Sequence, residues 1–257
     1  MLLAVIGLVV AAWALVETVC RRSLRWPRFG RTMQQVRHRF AAAARLAPGT
    51  CIYLSVVLVS TTEQSQLSAR LARAMARQSS TNVVLLTSRP LDVLTTSAFW
   101  LDNPGIGAVF LLVQFAVIIA LLEASIGTGR WLISLIVGHV GASLLVGFGL
   151  WFGIRHGWVD ARLARATDVG ISYGLAAATV LLVLGLRGRA RLLLLAVVVV
   201  RVGAGLAFTP SFTDVGHLLA GLSGAGLYVL FGRPHLRPFH VIGWPGSFGF
   251  EERADHG

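Results

Sequence analysis

The chain has 257 residues, of which 55% are hydrophobic and 13% are charged. A soluble domain carries about 25% charged residues, so this composition excludes a typical water-soluble globule and, for the bulk of the chain, intrinsic disorder. The two cysteines, Cys20 and Cys51, are far apart, which excludes a disulfide scaffold. A polytopic, all-α membrane protein remains, with room for six or seven spans of about 20 residues each.

The net charge of +12 comes from 23 basic residues, all of them arginine. Such a charge can indicate nucleic-acid binding. In a membrane protein, arginines of cytoplasmic loops that set the topology are the better explanation. We therefore expect contact with membrane lipid and no nucleic-acid partner.

The first apolar run, from Leu2 to Val16, has its positive charges after it. A secretory signal has them before the run, so the pattern favours a transmembrane helix in residues 1–20, with a misplaced start codon as the alternative. Residues 21–47 then form a basic cytoplasmic segment, which ends at the helix-start signal Pro48-Gly49.

Further apolar runs predict a membrane domain over residues 48–231, and residues 232–257 are expected to be a cytoplasmic tail. The predicted spans are 48–62, 105–124, 132–152, 169–186, 191–208 and 215–231. In the long loop after the first, Leu67, Leu71 and Met75 recur every four residues among arginines. This period predicts a short amphipathic helix on the membrane surface.

Arginine counts favour one orientation of these spans. With residues 20–47 in the cytoplasm, fifteen arginines lie in cytoplasmic segments, seven lie in outer loops, and Arg201 lies within a span. The excess agrees with the positive-inside rule.

Ser172 and His217 are the polar residues with the clearest chemical potential, because ionisable and polar groups inside a membrane indicate function. Each follows a helix N-cap signal, at Thr167-Asp168 and at Asp214. Small residues continue both helix faces and favour close packing; they are Ala176 after Ser172, and Gly221 and Ala225 after His217. A serine and a histidine at one depth are the pair that a nucleophile and its general base require, although small-residue packing alone also explains the pattern.

Two other polar residues lie deeper in their spans. His139 is expected to make a structural hydrogen bond, and Arg201 either lines a small polar cavity or extends toward the membrane surface. The seven histidines occur singly and show no ligand spacing with the cysteines, so neither a metal site nor a cofactor is expected.

Four segments together resemble the rhomboid intramembrane serine proteases, specifically a divergent bacterial rhomboid-like branch. In chain order they are Leu94–Phe99, the turn Glu123-x3-Gly127-x2-Arg130-Trp131, the motif Gly170-x-Ser172 and the motif His217-x3-Gly221. The resemblance covers residues 48–231 and depends on the order and spacing of the segments.

The resemblance implies a six-helix core, here with one extra N-terminal helix, in a multi-pass protein of the bacterial plasma membrane. It implies an intramembrane hydrolase in which Ser172 and His217 cleave single-span membrane proteins near their outer ends. Glu123, Gly127 and Arg130 are then a structural turn.

One departure from the family concerns the oxyanion site. Rhomboid proteases usually carry a histidine and an asparagine on the second core helix, where this chain offers only Asn103 and Gln114. Together with Gly170 beside the serine, these are the candidate supporting residues. A pseudoprotease that binds transmembrane helices without cleaving them is therefore the main alternative, and a small transporter is a third.

Overall fold

The computed structural model describes residues 44–101, 106–208, 210–234 and 236, and for residues 106–110 it describes the backbone alone. The expected N-terminal span, nearly all of the basic segment and most of the expected tail lie outside these residues. Within them the chain is all-α, without strands, as the sequence predicts.

Nine α-helices and one 3₁₀ turn make up the described part of the chain. They are α1 (Pro48–Ser65), α2 (Ala69–Gln78), α3 (Val83–Ser88), α4 (Pro90–Ser97), α5 (Ile106–Ile126), α6 (Thr128–Arg155), the 3₁₀ turn Ala161–Arg165, α7 (Ser172–Gly185), α8 (Gly188–Phe208) and α9 (Phe212–Leu230). Each of the six predicted apolar spans coincides with one of the long helices. The predicted amphipathic helix corresponds to α2, which contains Leu71 and Met75, whereas Leu67 precedes its N-cap Ser68.

Helix α6 contains a π-helical turn over Val137–Gly141, between two regular α-helical stretches. His139 lies within this turn and is buried. Gly138 lies beside it, where an added Cβ would come within 2.5 Å of the Ala177 Cβ. The π-helical turn is therefore where α6 packs most closely on α7.

The protein interior is centred on α7, which contacts α5, α6, α8 and α9. Its side chains are mostly buried, and Ala177, Ala178 and Leu181 are completely inaccessible. Phe115 and Ile119 of α5 complete the main apolar cluster. Because α7 begins at Ser172, this central helix places the candidate nucleophile at one end of the bundle.

Two of the described helices, α6 and α8, have the length and mean hydropathy of a membrane span. In α8 none of the residues is buried, and Leu193, Val197 and Val200 are about two-thirds exposed. Such a surface would be unfavourable in water but suits contact with lipid chains.

Candidate functional site

Helix α7 begins two residues after Gly170, whose backbone lies in the left-handed region. Gly170 has a φ of +106°, which favours glycine, and its N–H donates to the carbonyl oxygen of Ser97 at 2.8 Å. Ile171 is the N-cap, without a side-chain hydrogen bond. Ser172 is therefore the first residue of the helix, and its N–H belongs to the first turn, which lacks acceptors within the helix.

The predicted cap at Thr167-Asp168 is wrong, because Asp168 has other partners. Its carboxylate accepts hydrogen bonds from the Tyr173 hydroxyl at 3.1 Å and the Thr81 hydroxyl at 3.3 Å. Its N–H donates to the Ser80 hydroxyl at 2.8 Å. Asp168 thus connects the start of α7 to the segment before α3.

Helix α9 begins with a capping box. The Ser211 hydroxyl accepts from the Asp214 N–H, and the Asp214 carboxylate accepts from the Ser211 N–H at 3.1 Å. The predicted capping role of Asp214 agrees with this arrangement, although the N-cap residue itself is Ser211. His217 follows Asp214 by one helical turn and is partly buried.

Tyr173 lies between the two candidate catalytic helices. Its ring meets the His217 imidazole edge to face, with the ring centroids 5.1 Å apart. The same ring lies where a Cβ of Gly216 would be, so this contact requires glycine at position 216. Arg201 of α8 and Asp214 both interact electrostatically with His217, and Arg201 is exposed.

Ser172 and His217 lie at the same end of the α7–α9 pair. The residue that follows Ser172, Tyr173, is the one that contacts His217. Within the described residues no hydrogen bond joins the Ser172 hydroxyl to the His217 ring. Ser172 is partly exposed, so its hydroxyl remains open to solvent or to a bound chain.

The closest approach of α7 and α9 uses a set of small residues one position earlier than the predicted face. Gly216, Ala220 and Gly224 repeat every four residues and are buried, and a Cβ at Gly224 would meet the Ala177 carbonyl group. At the predicted Gly221 an added Cβ would lie an ordinary 3.4 Å from Val180 Cγ2. Ala176 packs against the buried cluster of Ala142, Tyr173, Ala177 and Ala220. Ala225 is partly buried.

The candidate oxyanion residues are Asn103, Gln114 and Gly170. Asn103 lies outside the described residues. Gln114 is on α5 and partly buried, and its side chain forms no hydrogen bond with another described residue. Gly170 is buried beside Ser172, and its N–H is already used by Ser97.

The Glu123–Arg130 turn has a clear structural arrangement. Glu123 is fully buried, and its carboxylate accepts from the N–H groups of Gly49 and Thr50 at 2.8 and 2.7 Å and from the hydroxyls of Thr50 and Thr128. Gly127 has a φ of +82°, and the Arg130 guanidinium lies 5.5 Å from the centre of the Phe231 ring. The turn thus connects the start of α1 to α5 and α6.

His139 forms the structural hydrogen bond that the sequence predicts, with partners that could not be foreseen. Its Nε2 lies 3.1 Å from the Leu94 carbonyl oxygen and 3.1 Å from the Ser97 hydroxyl. The Ser97 carbonyl in turn accepts from Gly170. This link through α4 positions the loop before Ser172, and no sequence motif indicated it.

Comparison with known proteins gives one match. The model of the family described as rhomboid-like protein matches residues 42–235. Neither the curated proteins nor the solved structures contain a match. Within the described residues no group of histidine, cysteine and carboxylate side chains could hold a metal ion. The matched region contains all nine described helices, and this membrane protein belongs to the rhomboid-like protein family.

Proposed function

We propose that the chain is an intramembrane serine endopeptidase that cleaves transmembrane protein substrates near their extracytoplasmic ends. Ser172 is its nucleophile and His217 its general base. The observation that carries the proposal is the contact between Tyr173 and His217, with ring centroids 5.1 Å apart. This contact brings the histidine beside the residue that follows Ser172, at the start of α7.

Acylation needs two proton transfers, and deacylation by water needs two more. His217 accepts the Ser172 hydroxyl proton as the oxygen attacks the scissile carbonyl carbon, and it returns that proton to the leaving amine. Water then hydrolyses the acyl-enzyme with the same base. The oxyanion of each tetrahedral intermediate needs preorganised donors, and the N–H of Ser172, in the first turn of α7, is available for this role.

Catalytic hydrogen bonds are often loose in the resting enzyme and tighten when substrate binds. The partial exposure of both side chains leaves room for that change. In this proposal the Ser172 hydroxyl and the imidazole rotate toward each other, while the close packing of α7 on α9 holds the two helices together.

Specific observations favour a second candidate, a pseudoprotease that binds transmembrane helices without cleaving them. Within the described residues Ser172 and His217 share no hydrogen bond. Helix α5 also lacks the histidine and asparagine that help hold the oxyanion in rhomboid proteases, and Gln114 is its candidate replacement. Loss of one such donor lowers the rate by about 10²–10³-fold. In this alternative the same site holds a client helix.

The proposed topology has six core spans, α1 and α5–α9, preceded by an N-terminal span in residues 1–20, in a bacterial plasma membrane. Residues 21–47 and 232–257 are cytoplasmic in this arrangement. Cysteine-accessibility labelling tests it. Position 162 should be labelled from outside the cell and position 187 should not, and the reverse pattern would place Ser172 at the wrong side.

A serine-directed fluorophosphonate and a co-expressed single-span reporter test the chemistry. The parent should react with the probe and cleave the reporter, whereas Ser172→Ala and His217→Ala should do neither. Ser223→Ala and His156→Ala are matched controls, because the only hydrogen bonds of these side chains in the described structure go to the backbone carbonyls of Leu219 and Phe152, away from Ser172. They should behave like the parent. A parent that retains the reporter during purification but neither cleaves it nor reacts with the probe would support the pseudoprotease instead.

A further inference from the structure

A cavity of about 170 Å³ lies at the same end of the bundle as Ser172 but is separate from the proposed catalytic pair. Its polar lining comes from Gln64 at the end of α1, Arg73 and Arg77 of α2, Trp100 and Thr167. The volume equals that of about six water molecules at about 30 Å³ each, enough for a small polar group.

Two positive charges face this cavity without an acidic residue in its lining. Arg73 and Arg77 are four residues apart and therefore on one face of α2. Within the described residues neither arginine forms a salt bridge or a side-chain hydrogen bond. Guanidinium groups bind phosphate through paired N–H donors, so an anion of this kind suits the cavity.

Gln64 indicates that the ligand should also carry a hydrogen-bond donor. It is 3% exposed, its Nε2 donates to the Ser60 hydroxyl at 3.0 Å, and its Oε1 has no hydrogen-bond partner in the described structure. A buried acceptor without a partner is unfavourable. Gln64 lines the cavity, and a ligand whose N–H or O–H group reaches this oxygen would satisfy it.

The surroundings indicate where such a ligand comes from. Leu71 and Met75 of α2 are 48% and 38% exposed, so α2 presents apolar side chains to its surroundings as well as arginines, as helices in the membrane interface do. Trp100 is the residue type that favours the headgroup level of a bilayer. From these residue types we expect the cavity to lie at the depth of the lipid phosphates.

We propose that this cavity is a binding site for the headgroup of a phospholipid whose phosphodiester is substituted by a hydrogen-bond donor, such as ethanolamine. Arg73 and Arg77 bind the phosphate, and the ammonium of the headgroup donates to Gln64 Oε1. Trp100 packs beside the headgroup. The site does not depend on cleavage by Ser172, and it would exist in an enzyme or a pseudoprotease.

Native mass spectrometry of the full chain in non-ionic detergent tests the proposal with three probes: phosphatidylethanolamine, phosphatidylcholine and inorganic phosphate. Both lipids are zwitterionic, but phosphatidylcholine has no N–H donor. The parent should bind phosphatidylethanolamine about tenfold more tightly, as expected for one charge-assisted hydrogen bond. Gln64→Leu should remove that preference and leave binding of phosphatidylcholine unchanged.

The arginines are tested with a double variant and a matched control. Arg73→Gln with Arg77→Gln should weaken binding of both lipids by about tenfold or more. Arg70→Gln removes a charge from the same helix outside the cavity and should bind like the parent. Equal binding of the two lipids by the parent, or parent-like binding by the double variant, would overturn the proposal. Inorganic phosphate that binds as tightly as phosphatidylethanolamine would also overturn it, in favour of a free-phosphate site.

Discussion

Tyr173 contacts His217 with the two rings inclined by 76° and their centroids 5.1 Å apart. The Tyr173 hydroxyl also donates to the Asp168 carboxylate at 3.1 Å. One aromatic side chain therefore joins the loop before α7 to the first turns of α9, and its two contacts can be separated by substitution.

Substitutions of Tyr173 should have graded effects on stability. Tyr173→Phe keeps the ring contact but loses the hydrogen bond, which should lower the free energy of unfolding by about 1 kcal/mol. Tyr173→Leu loses the ring as well and should lower it by about 2–4 kcal/mol. Thermal unfolding in detergent measures both. Equal melting temperatures for the two variants would show that the ring contact contributes nothing.

The glycines of α9 should differ sharply in their tolerance of a methyl group. Gly224→Ala places the methyl against the Ala177 carbonyl and should lower the free energy of unfolding by about 1–3 kcal/mol through overpacking. Gly226→Ala meets nothing within 4 Å and should be neutral or stabilise by about 0.5–1 kcal/mol, since alanine favours helix. Gly221→Ala, with its 3.4 Å contact to Val180, should lie between them. Unfolding of the three variants side by side gives the order, and a stable Gly224→Ala would refute the close approach.

Glu123→Gln should destabilise the start of α1. The carboxylate accepts four hydrogen bonds from Gly49, Thr50 and Thr128, and an amide presents an N–H₂ group to donors on one side. The expected loss is about 2–3 kcal/mol, as for hydrogen bonds to a charged group. Glu63→Gln, at an exposed position of α1, is the control and should unfold like the parent. A similar effect of both substitutions would point to net charge instead.

The exposed pair Asp160 and Arg162 gives a prediction on pH. Hydrogen bonds from the Arg162 side chain and backbone hold the pKa of the Asp160 carboxyl below its usual value. Because the pKa is lower in the folded state, the small stabilisation is present above the unfolded pKa of about 3.9 and is lost as pH falls through the folded pKa. Carboxyl NMR of labelled aspartate should show a midpoint below that of a free aspartate. Arg162→Gln should raise the midpoint toward it, and an unchanged midpoint would contradict the pairing.

The helices could be predicted from the sequence because long apolar runs end at charged or turn-forming residues. The expected 191–208 span, for example, is the helix Gly188–Phe208, which makes few contacts that might override its composition. Only the local pattern is needed for such a helix in lipid.

The start of α7 could not be predicted because tertiary contacts decide it. Asp168 is an excellent N-cap residue type, but its carboxylate receives the Tyr173 and Thr81 hydroxyls, from residues that are close only after folding. The packing face of α9 is equally ambiguous in the sequence, because two series of small residues repeat every four positions. One series begins at Gly216, and the other begins at Gly221, one turn after His217. The ring of Tyr173 resolves the choice, since it requires glycine at position 216.

The π-helical turn Val137–Gly141 has a consequence for chain length. A π-helical turn accommodates one residue more than the α-helical turn that it replaces, while the segments on either side keep their faces. A deletion inside it would let α6 close as a regular helix, with Trp131 still against Gly49 and Gly147 still against Leu86. The same deletion elsewhere in α6 would rotate one half against the other by about 100°. A deletion of one residue at this turn would therefore keep both helix contacts of α6, and its effect would be local, at His139 and its link to Leu94 and Ser97.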